Sequence, residues 1–283
     1  MKALINCVGF IGDNLFASSI PKKLKEEGYT KVDLRASIAQ PYELLTLNPY
    51  IDEVYLEDTA AEGYDRVFNL SPVHRRETPV EQFQQQCGIS NTSPEYFIHT
   101  NKAIDSYVHP LLRGSVQGKT LIAYMSNWEE KTFGFTEEEY KAGVNVPNLG
   151  YGGRRRNTSF IVEKLSESSN LYLIPVGMPN GFNQKEITLD GVSNYTLTAS
   201  IIKACDWFIG AEGGLANLAA GVGTRTILTD DYVHQLYGWN GVIEKVQEPK
   251  LGPKYYFPEG HHVLNPYLSD SEVTTSINSI VCL

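Results

Sequence analysis

Apolar residues fall in short runs separated by polar, glycine-bearing stretches, a rhythm that predicts strands alternating with helices. Residues 3–8 predict a buried strand, Gly9-Phe10-Ile11-Gly12-Asp13 a tight turn, and Asn14 to Glu27 a helix that Gly28 stops. Lys31 to Arg35 predicts the next strand, Pro41 to Leu47 a short helix before Asn48-Pro49, and Val54-Tyr55 and Arg66 to Leu70 further strands. A second set opens after Arg113-Gly114-Ser115-Val116-Gln117-Gly118 with the strongly apolar strand Thr120 to Met125. Leu171 to Val176 follows, with Pro175 expected to end its ladder early. Leu197 to Ala204 reads as helix, Trp207-Phe208-Ile209 as strand, Leu215 to Ala220 as a short helix and Thr226-Ile227-Leu228 as strand. A final helix is expected from Ser269 to Ile280, packing back across the N-terminal half. Strands alternating with helices specify an α/β fold with mostly parallel sheets covered on both faces.

A length of 283 residues suits two domains of about 100–150 residues, and the division is expected at 1–115 and 116–283. An apolar fraction of 42% with 20% charged residues is that of a globular chain, expected to be ordered nearly end to end. The excess of 33 acidic over 24 basic side chains gives a net charge of -9, which repels polyanions and disfavours non-specific nucleic-acid or membrane-surface binding. Arg154-Arg155-Arg156 is the one dense basic run; it is either a phosphate contact or a solvated patch. Cys7, Cys87, Cys205 and Cys282 are widely spaced and form no C-x-x-C pair, which fits reduced thiols in a cytoplasmic compartment better than a disulfide framework. No apolar run approaches the roughly 18 residues that span a bilayer, so no membrane insertion is expected.

Three segments can carry chemistry. The turn Gly9-x-x-Gly12-Asp13 lies at a strand's carboxyl end, where open α/β sheets bind ligands. Asp13 there is either a helix cap or an ionised general base favoured by the helix dipole. Glu212-Gly213-Gly214-Leu215-Ala216-Asn217 follows a strand and opens a helix; its amides suit a diphosphate, although a plain strand–helix corner has the same composition. The carboxylate of Glu212 would repel phosphate, which directs it to a hydroxyl instead. Ser126, Asn127 and Lys131 follow the strand ending at Met125, and Lys131 is either a counter-charge for a leaving diphosphate or a solvated loop lysine. His74 and Arg75, after the strand ending at Leu70, can meet a substrate or serve structure alone. Neither G-x-G-x-x-G nor the P-loop pattern is present.

Taken in order, Gly12-Asp13-x-x-x-x-Ser18-Ser19-Ile20-Pro21, Asn48-Pro49-Tyr50-Ile51-Asp52-Glu53-Val54, Ala204-Cys205-Asp206-Trp207-Phe208-Ile209-Gly210 and Glu212-Gly213-Gly214-Leu215-Ala216-Asn217 resemble the heptosyltransferase-like glycosyltransferases of family nine. The resemblance implies the GT-B architecture, two Rossmann-like domains facing a cleft, with an acceptor-side N-terminal domain and a nucleotide-sugar-binding C-terminal one. It further implies inverting, metal-independent transfer from a nucleotide diphosphate sugar, with no cofactor. By the resemblance Asp13 would be the base, Lys131 a contact to donor phosphate, and the turn with Glu212, Gly213, Gly214 and Asn217 the diphosphate site; by their placement, Gly12, Asn14, His74 and Arg75 are expected on the acceptor side and Ser126 and Asn127 beside the donor. The acceptor would be an envelope glycan or a hydroxylated base in DNA. Glu212-Gly213-Gly214 and Asn217 depart from the family's Asp-Thr/Ser-Gly and His, so a different nucleotide or sugar is expected; the chain is also short for a member, so trimmed acceptor-side loops are expected. Two alternatives share the architecture: a binding module that has lost catalysis, and a UDP-sugar epimerase.

Overall fold

A strand covered on both faces must be apolar along its length rather than alternating, and β1 (Lys2–Cys7) is buried at every residue after the first. It forms the centre of a parallel sheet with β2 (Lys31–Arg35), β3 (Val54–Tyr55) and β4 (Arg66–Leu70), in the order β3-β2-β1-β4. Ile5 lies opposite Leu34 on one side and Phe68 on the other. The structure is a computed structural model that describes residues 1–9, 11–56, 62–71, 78–125, 158–177, 194–211, 213–230, 262–264 and 268–282.

The single helix expected from Asn14 to Glu27 is two, α1 (Ile11–Ala17) and α2 (Ile20–Glu26). The break has a local cause: the Ser18 hydroxyl donates to the Leu15 carbonyl at 2.6 Å, and Pro21 enters the first turn of α2, where its missing N–H does no harm. Gly28 ends α2 at φ 96°, as a helix stop requires. The short α3 (Tyr42–Thr46) follows, and α4 (Pro79–Gln86) opens on a capping box between Thr78 and Glu81. Next, α5 (Lys102–Ser115) is capped by the Asn101 side chain, which accepts from the amides of Ala103 and Ile104.

A second parallel sheet runs β6-β5-β7-β8-β9, from β5 (Thr120–Met125), β6 (Leu171–Val176), β7 (Trp207–Ala211), β8 (Arg225–Asp230) and β9 (His262–Val263). Pro175 does not shorten its ladder: it stands opposite Tyr124, and Val176 still pairs with Met125. An edge strand leaves one side of its backbone unpaired, so a missing N–H is tolerated there. The helices of this half are α6 (Thr158–Ser166), α7 (Asn194–Ala204), α8 (Gly214–Gly221) and α9 (Asp270–Val281).

The final helix packs within the second half. Val273, Ile277 and Val281 of α9 form a stripe at four-residue spacing, which is occupied by Ile161 and Leu165 of α6 together with Ile209 and Ile227 of the sheet. In contrast, α5 lies within residues 1–115 yet packs along α7 of the second half. Its Asp105 accepts from Ser200 at 2.8 Å and Lys203 at 2.9 Å, and Arg113 makes a two-pronged pair with Asp206 at 2.8 and 3.0 Å.

The main core passes through both halves. Leu15 and Phe16 of α1 share it with Leu215, Ala219 and Ala220 of α8. Each large side chain so buried contributes about 1.5–3 kcal/mol, which ties the carboxyl end of the first sheet to that of the second.

Candidate active site

Two strand–turn–helix units meet at this joint. In the first, β1 exits through Gly9 at φ 143°, a value that favours glycine, and the chain enters α1 with Asp13 in its first turn. Asp13 is therefore the third residue of the helix rather than its cap. Its carboxylate folds back over Gly9: a Cβ built on Gly9 would lie 2.3 Å from Asp13 Oδ2. Only a residue without a side chain leaves the acid that position. Asp13 is half-buried, and its charge, after burial itself, helps to push the buried thiol of Cys7 upward in pKa.

In the second unit, β7 leads into Gly213, with φ 150°, and then into α8. The opening turn of α8 faces that of α1. A Cβ on Gly12 would lie 2.5 Å from Asn217 Nδ2, and a Cβ on Gly214 would lie 2.9 Å from Ile11 Cγ2. The two helix N-termini thus converge through glycine on each side, and their positive dipole ends favour negative charge between them. Asp13 supplies one such charge.

Asn217 is only 3% exposed, and its Oδ1 is buried with no hydrogen-bond partner. A buried acceptor left unpaired costs about 1–3 kcal/mol, so one retained beside the Asp13 turn is a candidate ligand contact.

Asn14 is fully buried, and its amide donates to Ser37 Oγ at 2.9 Å while its Oδ1 accepts from the Ser37 amide at 3.1 Å. Expected as an acceptor-side residue, it faces inward to the loop after β2. The joint is closed from behind by Tyr96, whose ring meets Phe16 edge-on with centroids 5.3 Å apart. Its hydroxyl donates to the Asn217 carbonyl at 2.5 Å, and the next amide but one, of Ile98, donates to the Gly221 carbonyl at 2.8 Å. Burial holds the Tyr96 phenol well above its ordinary pKa, so it remains a donor.

The structure therefore brings together Gly12, Asp13, Gly213, Gly214 and Asn217 from the expected set. His74, Arg75, Ser126, Asn127, Lys131, Arg154, Arg155, Arg156 and Glu212 lie outside the described residues. Ser37, Tyr96 and Ile98 had no sequence signal, because their partners Asn14, Asn217 and Gly221 lie far away along the chain. Among the described residues, no group of three or more His, Cys, Asp or Glu side chains is placed to hold a metal ion, and no helix is long and apolar enough to cross a membrane.

No protein-family model matches the sequence, and no curated protein matches it. Solved structures do match the fold. The ADP-heptose lipopolysaccharide heptosyltransferase II of E. coli superposes with a TM-score of 0.61 at 12% identity, over 100% of this chain and 99% of its own. A family-nine glycosyl transferase from Veillonella parvula DSM 2008 gives 0.61 at 10% identity, over 99% and 97%. The E. coli heptosyltransferase WaaC with ADP gives 0.56 at 13%, over 99% and 100%. The chain has the two-sheet α/β architecture of these GT-B glycosyltransferases.

Proposed function

We propose that this chain is a glycosyltransferase that moves a sugar from a nucleotide diphosphate sugar to a hydroxyl acceptor with inversion, using Asp13 as general base. The observation that carries the reading is the meeting of Gly12–Asp13 with Gly213–Gly214–Asn217 at the carboxyl ends of two parallel sheets. The heptosyltransferase WaaC, which shares the fold, has been solved with ADP, and this supports a nucleotide-sugar donor.

In this mechanism the Asp13 carboxylate takes the proton of the acceptor hydroxyl, and that oxygen attacks the anomeric carbon from the face opposite the leaving group. The bond from carbon to diphosphate oxygen breaks, and the departing charge is met by the free amides at the start of α8 and, by the family resemblance, by Lys131 rather than a metal ion. Standing in the first turn of α1, Asp13 is kept in its charged, proton-accepting form by the helix dipole. The unpaired Asn217 Oδ1 would receive a hydroxyl of the bound donor. The acceptor is a glycan or a hydroxylated DNA base, and the chain acts in the cytoplasm.

Thermal melts against UDP-, GDP-, ADP- and dTDP-sugars test the donor half of this reading. A ligand present at about 100 times its dissociation constant stabilises the fold by about 2.7 kcal/mol. A shift with one nucleotide class supports the proposal, and no shift with any contradicts it.

A further inference from the structure

Asp13 owes its position to a closed ring of contacts that begins one residue away. Asn14 Nδ2 donates to Ser37 Oγ at 2.9 Å, and Ser37 Oγ donates in turn to the Gly9 carbonyl at 2.8 Å. The Ser37 amide returns to Asn14 Oδ1 at 3.1 Å. Gly9 is the residue over which the Asp13 carboxylate lies, with Oδ2 2.3 Å from the site of a Gly9 Cβ. One hydroxyl thus fixes both the floor beneath the acid, through Gly9, and the helix turn that carries it, through Asn14.

Asn14 and the serine that holds it differ in exposure. Asn14 is fully buried, whereas Ser37 is exposed at the end of β2. Loss of the hydroxyl would take an acceptor from the buried Asn14 amide, a modest global cost; its larger effect is local, on a turn whose glycine already stands at a φ of 143°.

We infer that Ser37 is a positioning residue for Asp13, its hydroxyl bridging Asn14 and Gly9 so that the carboxylate is held for proton transfer. The inference rests on the glycosyltransferase reading. A misplacement of about 1 Å at a reacting group can lower turnover roughly 100-fold, and loosening this bridge is a displacement of that kind.

The test compares the unaltered full chain with Ser37→Ala and Ser37→Thr. Release of nucleoside diphosphate from UDP-, GDP-, ADP- and dTDP-sugars is followed with a glycan or a hydroxymethylated DNA acceptor present, together with deuterium uptake by the peptide containing Gly9 to Leu15 in the unliganded protein. Ser37→Ala leaves the buried Asn14 amide without this acceptor, so it is expected to melt roughly 2–6 °C below the unaltered chain and to exchange faster in that peptide. Its kcat should fall roughly 10- to 100-fold with little change in the donor KM. Ser37→Thr, which keeps the hydroxyl, should restore both readings. If the unaltered chain turns over and Ser37→Ala matches it in kcat, or if threonine fails to rescue, the positioning role is overturned. If the unaltered chain releases nothing from any of these sugars, the enzyme reading falls and this inference with it, and faster exchange alone does not save it.

Discussion

Gly221 should be intolerant of even one added methyl group, although it ends a helix where alanine is ordinarily the better residue. Replacing glycine with alanine in a helix stabilises by roughly 0.5–1 kcal/mol when there is room. There is none here: a Cβ on Gly221 would lie 2.5 Å from Ile98 Cγ1 and 2.8 Å from Tyr96 Cε2. Both neighbours are buried, and the Gly221 carbonyl accepts from the Ile98 amide at 2.8 Å, so the segment cannot simply back away. Overpacking of this kind costs about 1–3 kcal/mol. The net expectation is a loss of about 1–2 kcal/mol, which in a chain of this size lowers the melting temperature by roughly 2–6 °C. Gly114 is the control, since it lies in α5 with nothing within 4 Å of its would-be Cβ; Gly114→Ala should raise the melting temperature by roughly 1–3 °C. In an Ile98→Ala background the Gly221→Ala penalty should shrink, because the nearest clashing atom is gone. A Gly221→Ala protein that melts at or above its parent would refute the close approach of residues 96–98 to α8.

Stability should decline on acidification in two stages. Burial and the nearby Lys203 hold His99 below its ordinary pKa, so the unfolded chain takes up that proton first, and stability falls as pH drops below about 6.5. Burial works to raise Asp105, but hydrogen bonds from Thr100, Lys203 and Ser200 outweigh it and hold the carboxyl below the usual range. Its contribution is therefore complete above about pH 4 and is lost as pH falls through the depressed folded value. Melts from pH 3 to 8 should show both stages, and His99→Gln should remove the first. Cys7 and Cys87 are buried with raised thiol pKa values, that of Cys87 pushed up to about 12, and Cys205, also buried, reaches about 12. Only Cys282 is exposed, so a thiol reagent should titrate one group rapidly in the folded protein and four after denaturation. Arg113→Ala should leave Asp206 without its two-pronged partner and destabilise by about 1 kcal/mol, as a partly exposed pair allows, readable as a lowered urea midpoint.

The central strands were legible because a strand buried on both faces leaves a nearly unbroken apolar run: β1 and β5 form where Ala3-Leu4-Ile5 and Leu121-Ile122-Ala123 predict them. The glycine turns at Gly28 and Gly213 were legible for a similar reason, since a positive φ needs glycine. Helix α5 was not. Ile104, Val108 and Leu112 carry its buried stripe, but Pro110 interrupts the pattern from inside the helix. Proline there forgoes one backbone bond without ending the helix, because Pro110 is on the exposed side. At the site, Asp13 and Asn217 could be picked out from the turns that hold them. What they share with Tyr96 could not, because Tyr96 reaches Asn217 across 121 positions and nothing local marks it. Asn14 shows the same limit from the other side: its place beside Asp13 suggested substrate, and only the fold reveals that Ser37 occupies both ends of its amide.

The most direct test is nucleoside diphosphate release by the unaltered chain and by Asp13→Asn, with each nucleotide sugar that stabilises the fold and with a glycan or a hydroxymethylated DNA acceptor. General-base catalysis contributes about 10²- to 10⁴-fold, so Asp13→Asn should bind the donor as before and turn over at least about 100-fold more slowly. Equal turnover by the two proteins would contradict the role given to Asp13, and with it the account of the joint between the two sheets as an active site.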